Sequence, residues 1–381
     1  MPSLSAMSST CRNTWNSTAI YSTMKNKQIK HILVIRFRRV GDSVLSMALC
    51  HTLRQTFPDA EIDFVINEGI HTLYTSHPDV DRCITFNNDE NGHFGRYIKK
   101  VWKTVHGTRY DVIIDMRTTL KTLWFSIFSR FRTPFRIGSK KWYSWIGLSH
   151  RVDNHAAGTG NRIEQNNMLT DPLSQIAEVK KADTFRLYVD ENLRDEYHHK
   201  MEEAGIDFSK PVIMATPTAR LEYKVLPAPT MKSLLRKIID TTGAQIIFNF
   251  SGKEKEAAER YRHELNDDPH IFTNIEAPSL PELCALIANC QFFFGNEGGP
   301  RHIAQALDIP SFAIFPPGVS KGRWLPSEGE RFGGISPDDF MEPSEQDNRK
   351  LTYQQRMDLM TEGEIWKMLE PRLSTYCKPK E

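Results

Sequence analysis

The 381-residue sequence predicts an α/β protein built from two successive doubly wound halves, each a parallel sheet with helices on both faces. Three observations carry that expectation. Short apolar runs rich in Val, Ile and Phe alternate with segments of helical periodicity. The rhythm breaks in a charged stretch near 190–210 and then restarts. The glycine-marked turns at Gly41 and at Gly298-Gly299 each follow an apolar run and open a helical pattern. The length exceeds what one hydrophobic core usually serves, so two domains are expected. Hydrophobic residues at 39% and charged residues at 25% give the balance of a globular protein. No run approaches the roughly 18 uncharged apolar residues of a membrane-spanning helix.

The first strand is His31–Arg36 (HILVIR), followed by the Gly41 turn and a helical pattern over Ser43–Phe57. Pro58-Asp59 stops that helix, and Glu61–Asn67 is the second strand. Arg82–Phe86 and Asp111–Asp115 are further strands, separated by a helical stretch around Tyr97–Val105. Asp190–Ala204 is a charged helical connector. The second half brings apolar runs at Val212–Ala215, Gln245–Phe250, Ile271–Thr273, Gln291–Phe294 and Ser311–Phe315. Between them lie helix candidates at Thr230–Thr241, Glu254–Leu265, Ser279–Asn289 and Gly299–Leu307, with a terminal helix over Met357–Leu373. The expected division is an extension over 1–23, a first domain over 24–190, a connector over 191–209, a second domain over 210–350, and a helix and tail over 351–381.

The first 23 residues hold ten Ser or Thr and no acid, and they lack the apolar segment of a signal peptide. They read as a disordered extension, or as a misassigned start with Met24 as the initiator. The six cysteines include no C-x-x-C pair, which argues against a zinc site or a disulfide framework and for a reducing compartment, the cytoplasm. Net charge is only +2, yet between Arg96 and Arg151 thirteen Lys or Arg face two acids, Asp111 and Asp115. Trp102, Trp124, Phe131, Trp142 and Trp145 are interleaved with those cations. Such a stretch suits an anionic partner at a surface, although each aromatic taken alone could simply be core.

Three turns carry the chemistry. In an open α/β sheet, ligands bind beyond the carboxyl ends of the strands, where the turn Arg36–Ser43 lies. Gly41 admits a close approach, and Asp42 either caps the next helix or acts on a ligand. In Phe292–His302 a buried strand leads to Glu297-Gly298-Gly299, and Pro300 suits the first position of a helix. Open N–H groups there form an anion site, Glu297 suits sugar hydroxyls, and His302 is a phosphate donor or a structural histidine. The segment Thr216–Pro227 offers Thr218, Arg220 and Lys224 to a diphosphate, or is a solvated loop. Asp79-Val80-Asp81 has the D-x-D form of a metal-binding transferase but reads as a turn beside Pro78. No metal is therefore expected, and cations with helix N-termini take its place. A G-x-G-x-x-G dinucleotide fingerprint is absent.

With these motifs in this order, the chain resembles glycosyltransferase family 9, the ADP-heptose:lipopolysaccharide heptosyltransferases. The resemblance is densest over Ile32–Ile66 (ILVIRFRRVGDSVLSMALCHTLRQTFPDAEIDFVI) and Phe292–Pro317 (FFFGNEGGPRHIAQALDIPSFAIFPP). It implies a GT-B fold, two Rossmann-like domains facing across a cleft, with the donor on the second domain and the acceptor on the first. It makes Asp42 the general base and Lys224, in the K-x-x-P pattern ending at Pro227, the diphosphate lysine. It assigns the donor segment to Glu297, Gly298, Gly299 and His302, with Thr218 and Arg220 beside it and Glu254 or Glu256 on the ribose. Arg39, Gly41, Arg117 and Lys121 become the acceptor-side candidates. The family's Asp-Thr/Ser-Gly reads Glu297-Gly298-Gly299 here, so a hydroxyl is lost and the carboxylate gains a methylene.

The implied reaction is metal-independent transfer with inversion, from a nucleotide sugar such as ADP-heptose to a lipid-linked glycan acceptor such as the lipopolysaccharide core. The nucleotide sugar is a co-substrate and no cofactor is implied. Peripheral placement at the inner face of the inner membrane fits such an acceptor. Other readings compatible with the residues are a transferase or epimerase for another nucleotide sugar and a nucleotide-sugar-binding protein without turnover. Nucleic acid is not an expected partner, because no recognition motif accompanies the basic stretch.

Overall fold

The computed structural model describes residues 28–37, 39–156, 158, 160–219, 224–250, 254–341 and 351–378. The extension over 1–23, Cys11 and Arg220 lie outside the described residues. The apolar runs of the first half become β1 (His31–Ile35), β2 (Glu61–Asn67), β3 (Arg82–Phe86), β4 (Val112–Asp115), β5 (Phe135–Ser139) and β6 (His150–Val152), in the order β3-β2-β1-β4-β5-β6. Those of the second half become β7 (Val212–Thr216), β8 (Gln245–Phe248), β9 (Ile271–Phe272), β10 (Phe292–Asn296), β11 (Ser311–Ile314) and β12 (Phe332–Ile335), in the order β12-β11-β10-β7-β8-β9. Every pairing is parallel. Both sheets thus start at a central strand, run to one edge and cross back. This doubly wound order puts a switch point between β1 and β4 and another between β7 and β10.

Central strands buried on both faces read as unbroken apolar runs, which is why they were legible: β4, β7 and β8 are buried throughout their lengths. The principal helices are α1 (Val40–Val44), α2 (Met47–Thr56), α3 (Phe94–Gly107), α4 (Leu123–Phe128), α5 (Arg162–Asn167), α6 (Glu191–Glu203), α7 (Ala228–Thr242), α8 (Lys255–Glu264), α9 (Leu280–Ala288), α10 (Gly299–Ala306) and α11 (Glu362–Tyr376). The expected helix over Ser43–Phe57 is two helices, α1 and α2. The buried Ser46 hydroxyl donates to the carbonyl of Asp42 at 2.8 Å, and a serine bonding back four residues commonly bends a helix.

One apolar cluster is continuous across the two halves, joining Val34 and Val44 of the first to Met214, Leu283, Leu286 and Ile303 of the second. A second cluster packs α7 and α11 on the other face of the second sheet, with Ile365, Leu369 and Leu373 of α11 buried. A third packs α3 and α4 against the outer face of the first sheet. Among the described residues no helix is long and apolar enough to cross a membrane.

Candidate active site

The turn leaving β1 at its switch point carries Asp42 to the cleft. Arg39 is the N-cap of α1 and makes no side-chain capping bond, so Asp42 sits inside the first turn rather than at the cap. Its Oδ1 lies 2.7 Å from Nη2 of Arg36, and both side chains are largely buried. Arg36 Nη1 donates to the carbonyl of Met116 at 3.0 Å, which ties this pair to the end of β4. The Asp42 carboxylate is therefore held in one orientation by a buried guanidinium. Charge-assisted bonds of this kind are about twice as strong as neutral ones.

Opposite stands the turn between β10 and α10. Arg301, His302 and Gln305 of α10 are buried. Arg301 Nη2 lies 2.7 Å from Nδ1 and 2.9 Å from Nε2 of His302. That Nε2 is 3.2 Å from Oε1 of Glu297. Arg301 also donates to Gln305 Oε1 and to the carbonyl of Trp324, both at 2.6 Å. Burial, and then the charge of Arg301, push His302 down to about 4, so the ring is neutral at physiological pH. Burial alone would raise the Glu297 carboxyl. The His302 hydrogen bond and the charges of Arg301 and Lys224 outweigh it and hold Glu297 below the ordinary glutamate range.

Gly298 is extended, with φ 176, a conformation open to any residue, and a β-carbon there would meet only Pro300 at 3.8 Å. The hydroxyl that the family pattern carries at this position is thus not excluded by space. Gly295 differs. Its φ is +142, and a β-carbon would fall 2.5 Å from Oγ1 of Thr216 and 2.6 Å from the Thr216 carbonyl, so the β7–β10 contact requires glycine.

The loop after β7 brings Lys224 to this turn, and the buried Asn296 fixes it. Asn296 Nδ2 donates to the carbonyls of Thr216 (2.9 Å) and Pro217 (3.1 Å), and its Oδ1 accepts from the Leu226 amide (3.0 Å). Both ends of the loop carrying Thr218 and Lys224 are thereby tied to β10. At the start of α10 opens a cavity of about 810 Å³ whose wall includes Val40 of α1, Glu68, Glu254, Pro278, Gly299 and Ile303. Residues of both halves line it. Glu254 lines this cavity, whereas Glu256 in the first turn of α8 is exposed.

The acceptor-side candidates divide. Gly41 lies against His302, and Arg39 is exposed at the start of α1. Arg117 Nη1 donates to the carbonyl of Phe37 at 2.6 Å, which places it beside the Asp42 turn. Lys121 instead donates to the Asn91 carbonyl at 2.6 Å and stands over the Tyr97 ring, on the α3 side of the sheet. Asp79 and Asp81 serve the turn before β3: Asp79 faces His51 at 3.0 Å, and Asp81 accepts from Arg54 and the Ile62 amide. Among the described residues no group of three or more His, Cys, Asp or Glu is placed to hold a metal ion. Arg36, Asn296 and Arg301 carry the site's geometry without having been singled out from the sequence. Arg36 had one visible signal, a charge closing an otherwise apolar strand.

Known proteins place this architecture. The description "glycosyltransferase family 9 (heptosyltransferase)" matches residues 98–329. Lipopolysaccharide heptosyltransferase 3 of Escherichia coli strain K12 is 25% identical over 285 residues, covering 72% of this chain and 79% of that protein. Lipopolysaccharide heptosyltransferase 2 of the same strain is 24% identical over 311 residues, covering 75% and 82%. Among solved structures, the family 9 glycosyl transferase of Veillonella parvula superposes with a TM-score of 0.76 at 16% identity, covering 91% of this chain and 98% of that one. The ADP-heptose lipopolysaccharide heptosyltransferase II of E. coli superposes with a TM-score of 0.70 at 21% identity, covering 91% and 99%. The shared fold is GT-B, and the chain belongs to glycosyltransferase family 9, the heptosyltransferase family.

Proposed function

We propose that this enzyme transfers a heptose from ADP-heptose, with inversion and without a metal ion, onto the lipopolysaccharide core or another lipid-linked glycan. The observation that carries the proposal is the juxtaposition of Asp42, oriented by Arg36, with the start of α10 across one cleft. The acceptor half is 24–190 and the donor half 210–350, joined by 191–209. The acceptor hydroxyl attacks the anomeric carbon from the face opposite the diphosphate, and Asp42 takes its proton. Lys224, Thr218 and the N–H groups at the start of α10 receive the charge growing on the departing ADP, a role that fixed donors and cations perform without a metal. The apolar wall of the cavity at Pro278 and Leu280 takes the adenine, and Glu254 takes the ribose hydroxyls. Arg39 and Arg117 meet the anionic acceptor. The relatives named as lipopolysaccharide heptosyltransferases support the choice of sugar and acceptor.

Calorimetry with ADP, UDP, GDP and CDP against the wild type and Lys224→Ala tests this reading. ADP should bind most tightly, and the substitution should weaken it by about 1.5–3 kcal/mol, the range for a hydrogen bond to a charged group. A preference for UDP or GDP would remove heptose, and binding of none would remove the transferase.

A further inference from the structure

The large apolar side chains that stand exposed are not scattered: among the described residues, all but Tyr188 fall between Phe94 and Ile146. Phe131 is 91% exposed, Trp142 85% and Trp145 64%, so they are not core of this chain. They form one ridge. On α3 and α4, Phe94 packs on Trp124 with ring centroids 6.2 Å apart, Trp102 on Phe128 at 5.1 Å, and Trp124 on Phe128 at 5.2 Å. A β-carbon on Gly147 would lie 3.2 Å from both Ile127 and Ser126, so the segment bearing Trp142 and Trp145 rests on α4 as well. Phe131 follows α4 directly, with Arg130 over its ring at 5.2 Å. Lys99 and Lys103 are exposed on α3 and Arg130 in the turn after α4, while Asp111 and Asp115, the two acids between Arg96 and Arg151, are buried.

We propose that this ridge docks on an anionic phospholipid bilayer, with Trp142, Trp145 and Phe131 at headgroup depth and Lys99, Lys103 and Arg130 on the phosphates. Tryptophan favours that interface because its ring is apolar and its N–H polar. Cations near an anionic leaflet each add attraction. The ridge is continuous with the candidate site: Lys141 Nζ donates to the Arg117 carbonyl at 3.0 Å, and Arg117 reaches Phe37 in the Asp42 turn. A chain docked this way presents Asp42 to an acceptor anchored in the same bilayer, and in this respect the inference rests on the proposed transfer to a lipid-linked glycan.

Cosedimentation of the full chain with vesicles, without any nucleotide sugar, tests docking separately from transfer. Vesicles of phosphatidylglycerol and phosphatidylcholine should bind the protein and shift its tryptophan emission to the blue, and phosphatidylcholine alone should bind at least tenfold less. Trp142→Ser with Trp145→Ser, and separately Lys99→Glu with Lys103→Glu, should each lower partition by about tenfold or more, since each basic residue near such a surface contributes roughly fivefold. Both variants should bind ADP as the wild type does, which shows that they are folded. Absence of partition, or partition indifferent to both variants, overturns the proposal. So does a concentration-dependent dimer in lipid-free sedimentation that the tryptophan variant abolishes, because a second copy then covers the ridge. Vesicle binding without ADP binding keeps the docking surface and discards the transferase.

Discussion

A β-carbon on Gly41 would stand 2.4 Å from Cδ2 of His302. The first turn of α1 and the body of α10, from opposite halves of the chain, meet where only a hydrogen fits. His302 cannot swing aside without leaving Arg301 and Glu297. Gly41→Ala improves local helix propensity, so any loss it causes comes from this contact. The expected outcome is a cleft held further open: a larger radius of gyration in small-angle scattering and transfer slowed at least tenfold (about 1.4 kcal/mol in the barrier). Unchanged scattering and turnover would show that the halves do not need this approach.

Asp42 and Arg36 separate chemistry from stability. Asp42→Asn keeps the shape and removes the proposed base, so turnover should fall by ~10²–10⁴-fold while ADP affinity holds. Arg36→Met leaves a buried carboxylate without the cation that orients it. Breaking a buried pair from one side costs about 3–5 kcal/mol, readable as a lower urea midpoint. Arg36→Lys keeps the charge but loses the second branch that reaches Met116, and it should recover part of the stability and less of the turnover. An Asp42→Asn enzyme turning over at the wild-type rate would remove the base assignment.

These pairs also mark where sequence reading ends. Strands β2 and β3 match their expected bounds to the residue, and the expected second-half strands fall within about two; most of them are buried and write themselves as apolar runs, whereas β3 is an edge strand with only Phe86 buried. Strands β5, β6 and β12 were not among the expected strands. β5 carries Arg136 inside the basic stretch, β6 is a three-residue edge strand with no fully buried residue, and β12 is FGGI. Gly334 is there for space, since a β-carbon would fall 2.7 Å from the Phe315 ring and 2.9 Å from the Ala313 carbonyl. At the site, the order of the turns was legible, because each follows a strand at a switch point. The bonds of Asn296 were not, because nothing local tells an asparagine ending an apolar strand that it will hold a loop some 80 residues earlier.

Asn296 yields a third test. Its side chain ties Thr216, Pro217 and Leu226, and Asn296→Ala leaves two carbonyls and an amide without these bonds. Each buried group left unsatisfied costs about 1–3 kcal/mol. Because the loop carries Lys224, the substitution should weaken ADP as well as lower stability. Asn296→Ala combined with Lys224→Ala should lose less ADP affinity than the two separate losses added together. Strict additivity would mean that Asn296 does not act through the loop.

The buried ring of His302 sets a dependence on pH. Burial, then Arg301, lowers it from 6.5 to about 4 against the opposing pull of Glu297 and Asp42. In the unfolded chain the ring takes a proton as pH falls through about 6.5, whereas the folded chain takes it only near 4. Between those values the unfolded state binds more protons, so stability falls as pH drops across that window. Glu297 acts in the same direction at the acid end, because a carboxyl held below its ordinary value contributes stability that is lost on protonation. Urea midpoints at pH 7.5 and pH 5 measure the effect. His302→Gln should be less stable at pH 7.5, having lost its place between Arg301 and Glu297, yet should lose less than the wild type on going to pH 5. His77, His150 and His155 are also lowered by burial, but they are present in both proteins and cancel in the difference. Equal losses in the two proteins would mean that His302 is not the group taking up the proton.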